Sequence, residues 1–294
     1  MRFSFQVVVF LVSTLFYVSI GSDEPIGYGY KIRSVEADGG KSLTAVLDVI
    51  KNSSVYGHDI QHLKLQASFE NADRLRVHIT DLDKKRWEIP DAILPRNITT
   101  TTAAPAANQS IVENNLSGPN SALVFTLHNS STFGFPVSRK STGEVLFRTS
   151  SKDLFVFKDQ YIQISSSLPE NRSSIYGLGE QTKRTFRLQK GDKRTLWNLD
   201  IPSLNVDQSL YGSHLFYIDV RTPSENGQAA GATHGVLLLN SNGMDISYEG
   251  SKITYKLIGG VIDLYFFAGP SPKSVINQYT ELVGRPAPMP YWSF

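Results

Sequence analysis

The chain has 294 residues, 29 of them basic and 27 acidic, for a formal charge of +2. So even a balance leaves no electrostatic footprint for nucleic acid or an anionic membrane, and neither partner is expected. Hydrophobic residues make up 40% and cysteine is absent; a body of this size can fold without disulfides, and thiol nucleophiles, thiolate metal sites and thiol redox chemistry are excluded.

Met1-Arg2 gives a positive start, and Phe5 to Ile20 is apolar apart from Gln6, Ser13, Thr14 and Ser19. The run is shorter than the roughly 20 apolar residues of a spanning helix. Ser19-Ile20-Gly21 offers small residues at cleavage spacing, so a signal peptide over residues 1–21, cut before Ser22, and a secreted protein are predicted. No later segment of the sequence is long and apolar enough to span. Six Asn-X-Ser/Thr acceptors point to the same route: Asn52, Asn97, Asn108, Asn115, Asn129 and Asn171.

Alternating segments follow. Leu43, Ala45, Leu47 and Val49 form one series, Leu63, Leu65, Ala67 and Phe69 a second, Leu75, Val77 and Ile79 a third. Period-two alternation marks strands with one buried face. Asn97 to Ser121 is rich in Thr, Ala, Pro and Asn without periodicity, and is predicted to be a mobile, glycosylated insertion. Strands resume at 123–127, 133–137 and 145–147, the last two joined by a turn at Ser141–Glu144. Lys158-Asp159-Gln160 separates Leu154–Phe157 from Tyr161–Ile164. Gly235–Leu239 is wholly apolar, and Gly259-Gly260 between 253–258 and 261–267 carries a hairpin signal. The pattern predicts an all-β protein, a β-sandwich over residues 22–269. One helix ends the series, with Ser271 as N-cap, Pro272 at the first position and Gly284 as its stop. Its apolar stripe is Val275, Ile276, Tyr279, Leu282 and Val283.

Chemical candidates are few. His58 and His62 lie four apart, but the residues between them lack the glutamate of a zinc-protease helix and no third ligand suggests itself. Gly27-Tyr-Gly29 and Gly177-Leu-Gly179 lack the third glycine of a dinucleotide loop. No nucleophile elbow is present, and neither a metal nor a cofactor is expected. Leu196-Trp-Asn-Leu-Asp-Ile-Pro-Ser203 places an aromatic, an amide and an acid in one Pro-terminated loop. That set suits a saccharide, whose C–H faces stack on aromatics and whose hydroxyls bind polar groups. It suits an ordinary loop with a capping Asp equally well.

Six blocks occur in order: Ile175-Tyr-Gly-Leu-Gly-Glu180, Leu196–Asp200, Leu210-Tyr-Gly-Ser-His214, Val236–Asp245, Ile253–Gly260 and Gly284-Arg-Pro-Ala-Pro-Met-Pro-Tyr-Trp292. Together they closely resemble the N-terminal portion of glycoside hydrolase family 31, in its plant α-glucosidase and α-xylosidase branch. The resemblance runs from about Gly27 to Phe294. It implies a mutarotase-like β-sandwich followed by a (β/α)8 barrel that carries both catalytic aspartates of a retaining mechanism. Residues 270–294 would then be the helix and connector into a barrel lying outside this chain, and no catalytic residue would lie within it. Asp200 matches the family's sandwich-loop acid, which reaches substrate hydroxyls, with Trp197 beside it. The implied partners are an α-glucan or oligosaccharide and the enzyme's own barrel. The implied activity is α-glucosidase, with α-xylosidase or a non-catalytic carbohydrate-binding sandwich as alternatives, and the implied location is apoplast, cell wall or vacuole. Trp197 and its loop, the outer face of the helix, and Tyr291, Trp292 and Phe294 are expected to be exposed, and deletion beyond Gly269 to improve behaviour.

Overall fold

Alternation in the sequence becomes alternation in burial. The computed structural model describes residues 24–38, 42–96, 113–129, 131–150, 152–202, 204–224 and 232–293. The expected signal peptide, Asn97 and Asn108 lie outside these residues. Among the described residues no helix is long and apolar enough to cross a membrane.

The largest sheet has eight strands in the order β1 (Tyr30–Asp38), β2 (Ser42–Val49), β3 (His62–Phe69), β4 (Arg74–Asp81), β17 (Ile262–Phe267), β14 (His234–Leu238), β13 (Ser209–Asp219) and β11 (Ile175–Gln181). A five-stranded sheet runs β12 (Lys193–Leu196), β15 (Met244–Tyr248), β16 (Lys252–Leu257), β10 (Ile162–Ser167) and β9 (Val156–Phe157). A four-stranded meander holds β5 (Glu113–Leu116), β6 (Leu123–Asn129), β7 (Phe133–Arg139) and β8 (Val145–Thr149). The two smaller sheets abut at β8 and β10, where Arg148 N donates to Ser166 Oγ at 3.0 Å. One core draws on all three sheets. Leu65, Val77 and Leu264 meet Ile164 and Tyr255 of the second sheet and Phe125, Phe135 and Phe147 of the third. Sheets sharing one apolar interior make a β-sandwich. The all-β fold is therefore as expected.

Three local expectations are corrected. Gly259-Gly260 is no hairpin: β16 belongs to the five-stranded sheet and β17 to the eight-stranded one. The glycines carry the chain across the sandwich, held by the buried Asn240 amide, which donates to Gly259 O at 3.1 Å and Val261 O at 2.9 Å. Gly260 has φ +79°, and a Cβ there would lie 2.5 Å from the Asn240 and Asn242 amides. The second correction concerns Asn97–Ser121. Residues 113–116 form β5, paired with β6, and Leu116 is in the core. One well-placed leucine and a row of ladder bonds order the end of a segment whose composition reads as loop. The third concerns Leu154–Phe157, where only Val156–Phe157 is strand.

The helix α1 (Pro272–Val283) begins as expected, with Ser271 Oγ accepting from Ser274 N at 3.1 Å. It lies on the outer face of the eight-stranded sheet. Val275 is fully buried in a second cluster with Phe216, Leu237, Tyr265 and Phe267, and Tyr279 and Leu282 pack against it. Tyr279 stacks on Phe216 with ring centroids 4.0 Å apart. Gln278 clasps Gly269 twice, donating to its carbonyl and accepting from its N–H, each at 2.9 Å. Ile276 and Val283 point outward, so the stripe is narrower than the sequence suggests. Because the helix covers three large aromatic side chains of the sheet, the expected gain from deletion beyond Gly269 is reversed: removal uncovers Phe216, Tyr265 and Phe267. The expected Val275→Ala cost is about 2 kcal/mol, and deletion of residues 270–294 should cost more. Urea unfolding of the three forms checks both; equal midpoints would contradict this packing.

Behind β14 lies a buried charged network. Asp219 accepts from Ser173 Oγ at 3.0 Å and Arg221 Nε at 2.8 Å, and Arg221 reaches the Leu146 carbonyl at 3.0 Å. His234 is buried beside it, its Nε2 3.9 Å from Asp219 Oδ2. Burial, with Arg221 and Arg139 nearby, holds its imidazole well below the usual range. His234 thus stays neutral when folded, while the unfolded chain takes up a proton below about pH 6.5. The unfolded state binds more protons there, so stability must fall with falling pH, by about 1.4 kcal/mol per unit from this group. Urea unfolding between pH 7 and pH 5 should give a shallower slope for His234→Asn than for the parent; matching slopes would remove His234 from the account.

Candidate functional site: a cleft at the Trp197 loop

The loop after β12 is positioned from three sides. Gln181 Nε2 donates to Thr195 O at 2.6 Å, and Ser209 Oγ donates to the same carbonyl. These bonds close the neck of the 197–208 segment between β12 and β13. Leu199 N donates to Leu210 O at 2.8 Å, and Ser213 Oγ donates to Asn198 Oδ1. Across the neck, Glu180 Oε2 accepts from Gly212 N at 3.0 Å.

Trp197 is 54% exposed, yet one edge of its ring is seated. A Cβ on Gly243 would stand 2.3 Å from Trp197 Cε3 and 2.5 Å from Cζ3, so the indole lies against backbone that only glycine leaves bare. Beside it opens a cleft of about 540 Å3 lined by Trp197, Asn198, Ser213, His214, Asn242 and Tyr279, among others. His214 Nε2 and Tyr279 Oη are 2.6 Å apart. Burial lowers the imidazole below its ordinary range and raises the phenol. The wall therefore offers neutral donors and acceptors. A seated indole edged by an amide, a hydroxyl and a neutral imidazole is chemistry for a polyhydroxylated, uncharged ligand.

Asp200 sits on the same loop, exposed, with no hydrogen bond or ion pair among the described residues. It does not line the cleft; three residues after Trp197, it is an exposed carboxylate without a partner among the described residues. Asn198, Ser213, His214, Gly243 and Tyr279 were not singled out as site residues from sequence. The signal lay in the ordered blocks: Leu196–Asp200, Leu210–His214 and Val236–Asp245 converge here, and α1 closes the far wall.

Around this end many large side chains face outward: Tyr176, Phe186, Leu199, Leu204, Val206 and Tyr211. With Trp197 they leave several large apolar side chains uncovered in the segments 176–186 and 197–211, and exposed apolar surface of that extent marks an interaction face. Tyr291 is 94% and Trp292 84% exposed, in agreement with expectation; Phe294 lies outside the described residues.

The glycosylation candidates scatter over other surfaces. Asn52 and Asn171 are exposed, Asn115 is exposed on β5, and Asn129 ends β6. His58 and His62 do not form a metal pair: His62 Nδ1 is 2.8 Å from Asp48 Oδ1, while His58 is exposed. A different trio, His78, Glu88 and Asp263, brings metal-binding atoms within 4.8 Å of one another. Its carboxylates are already engaged. Arg76 binds Asp263 through two bonds of 2.7 and 2.9 Å, and the His78 hydrogen bond holds Glu88 below the usual carboxylate range. The trio is explained as an ion-pair cluster.

Residues 62–246 match the glycosyl hydrolase 31 N-terminal galactose mutarotase-like domain. The chain is 56% identical to a probable alpha-glucosidase of Oryza sativa subsp. japonica over 81% of this chain and 26% of that protein. It is 50% identical to an alpha-glucosidase of Hordeum vulgare over 90% of this chain and 28% of the relative. Identity to alpha-xylosidase 1 of Arabidopsis thaliana is 42%, over 99% of this chain and 31% of the relative. The chain thus spans between a quarter and a third of the length of these relatives. Among solved structures, the glucosidase II alpha subunit superposes with a TM-score of 0.66 at 16% identity, over 88% of this chain and 34% of that one. A dextranase of Flavobacterium johnsoniae gives 0.64 at 17%, over 91% and 29%. These likenesses show the shared fold, and the match over residues 62–246 establishes that the chain belongs to glycosyl hydrolase family 31, as its N-terminal galactose mutarotase-like domain.

Proposed function

We propose that this chain is the N-terminal part of a secreted retaining α-glucosidase that removes terminal α-linked glucose from maltose- and starch-type oligosaccharides. The observation that carries the reading is the cleft at the Trp197 loop, with Asp200 unpaired on the same loop, on a chain more similar to α-glucosidases than to the α-xylosidase. Trp197 supplies an apolar face for a pyranose ring, Asn198 and Ser213 a fixed polar edge, and Asp200 a free acceptor for sugar hydroxyls. Acid, base and nucleophile chemistry is assigned to the catalytic barrel of the longer enzyme, where the resemblance puts both aspartates. The apolar surface around Phe186, Leu204 and Tyr211 is the face on which that barrel rests.

A form extended to the length of the relatives should hydrolyse maltose, whereas the 294-residue chain alone should not, because the resemblance assigns to the barrel the carboxylate pair that flanks the bond. Asp200→Asn in the extended form should lower kcat/KM for maltose about ten- to hundredfold, the worth of one charged hydrogen bond to substrate. Gly243→Ala should act in the same direction by displacing Trp197. Unchanged kinetics in both variants would remove the loop from the site. Faster cleavage of an aryl α-xyloside than of an aryl α-glucoside would favour the α-xylosidase reading.

Secretion belongs to the same proposal, supported by the apolar N-terminus and the six acceptors. Of these, Asn52, Asn115 and Asn171 are exposed. Expressed in a plant or insect secretory host, the protein should appear in the medium without residues 1–21 and lose mass on glycan removal. A full-length, unmodified cytosolic product would count against it.

A further inference from the structure

We propose a second saccharide-binding site, centred on Trp87, that takes a neutral gluco-oligosaccharide longer than a disaccharide. It rests on the reading of this chain as part of a carbohydrate-active enzyme and extends it to chain length.

Trp87 is 58% exposed, but it is not a loose side chain. Its indole N–H donates to Ser241 Oγ at 2.8 Å. Its neighbour Arg86 keeps its side chain only 8% exposed and donates to Gly260 O at 2.7 Å and Asp159 O at 2.6 Å, with its guanidinium over the Phe157 ring. The ring is thus tethered at its N–H and the chain beside it is anchored through Arg86, which restricts the orientations open to an exposed apolar face. A pre-set aromatic face lowers the entropic cost of binding, which is what a weakly bound ligand needs.

The ring borders a cleft of about 690 Å3 between the 81–87 turn, the 159–160 turn and the 258–260 crossing. Asp83 and Gln160 stand exposed on its rim, their side chains without a partner among the described residues. Asn242 is pinned to Asn240 Oδ1 by its backbone N–H at 2.7 Å and its amide at 3.0 Å. One flat apolar face with a carboxylate and two amides around it matches a pyranose, apolar on its C–H face and polar on its rim. Lys84 and Lys85 offset Asp83 and Asp159 along this cleft, so neither an anionic nor a cationic polymer is favoured.

Ser241 and Gly243 belong to one turn between β14 and β15. Trp87 is bonded to the first and Trp197 is seated on the second. The two indoles meet the same turn, Trp197 lining one cleft with Asn198 and Ser213 and Trp87 lining the other with Asp83 and Gln160, and Asn242 lines both. A longer chain laid across the Ser241–Gly243 turn would present sugar rings to both indoles, which is what separates it from a disaccharide held at Trp197 alone.

The test titrates the chain with maltoheptaose and with maltose by tryptophan fluorescence, and follows its retardation in gels containing soluble starch. The parent should bind the heptasaccharide more tightly than maltose. Trp87→Ala should weaken maltoheptaose binding about fivefold or more and leave maltose unchanged. Trp87→Phe should fall between. Asp83→Ala with Gln160→Ala, at exposed positions, should weaken maltoheptaose binding as well, and carries the test if Trp87→Ala unfolds. A parent indifferent to chain length, or folded variants that bind as the parent does, would overturn the inference while leaving maltose hydrolysis by the extended enzyme intact. Loss of binding in the variants together with no maltose hydrolysis would instead sink the proposed activity and keep this site.

Discussion

The pairing of β4 with β17 joins residues 74–81 to residues 262–267 and turns two hairpin series into one eight-stranded sheet. β1 to β4 can form among themselves, and so can β13 and β14. Neither set has a complete inner face until Leu75, Val77 and Ile79 stand beside Ile262, Leu264 and Phe266. Closing a loop of that length is entropically costly, although the cost grows only slowly with separation. The seam carries its own lock on the outer face, where Arg76 holds Asp263 through two short bonds and Arg96 lies 3.6 Å from the same carboxylate. Asp263 is almost wholly buried. Such a carboxylate is tolerated because its partners are present, and loss of one partner from a buried pair costs about 3–5 kcal/mol.

A second buried pair performs the same service at the other edge. Lys158 is fully buried and its ammonium donates to Asp59 Oδ1 at 2.9 Å, Ser53 O at 2.9 Å and Gly57 O at 3.1 Å. Asp59 in turn accepts from Ser53 N at 2.7 Å. All three ammonium hydrogens are used, which is the condition under which burying a charge is tolerable. The pair bridges the 53–59 loop of the large sheet to β9 of the five-stranded one, so the two layers are registered by charge as well as by apolar packing.

Much of the strand pattern was legible because β3, β4 and β6 each bury one face only, and one buried face writes a period of two. β14 and β17 are buried on both faces, one against the core and one under α1, so they read as apolar runs whose partners the sequence does not name. That is why Gly259-Gly260 resembles a hairpin: the local signal is real, but the apolar strand after it pairs with β4, some 180 residues earlier. β5 was missed for a related reason, since four residues with one core leucine carry too little periodicity. In the site, Trp197 and Asp200 were visible as residue types. Gly243, Ser213 and Tyr279 were not, because their roles exist only once three separated segments meet.

The family blocks acquire a physical explanation at this point. Leu196–Asp200 presents the indole, Leu210–His214 ties the loop back through Ser213 and Leu199, and Val236–Asp245 supplies the bare backbone of Gly243. Ile253–Gly260 crosses the sandwich and fixes Asn240 and Asn242 behind the turn. Three of the blocks thus supply separate surfaces of a single cleft. The Asn240–Gly243 turn is the common element: it touches Trp197, Trp87 and the Gly260 crossing at once. A change there moves both indoles together, whereas a change in either tryptophan moves only its own site.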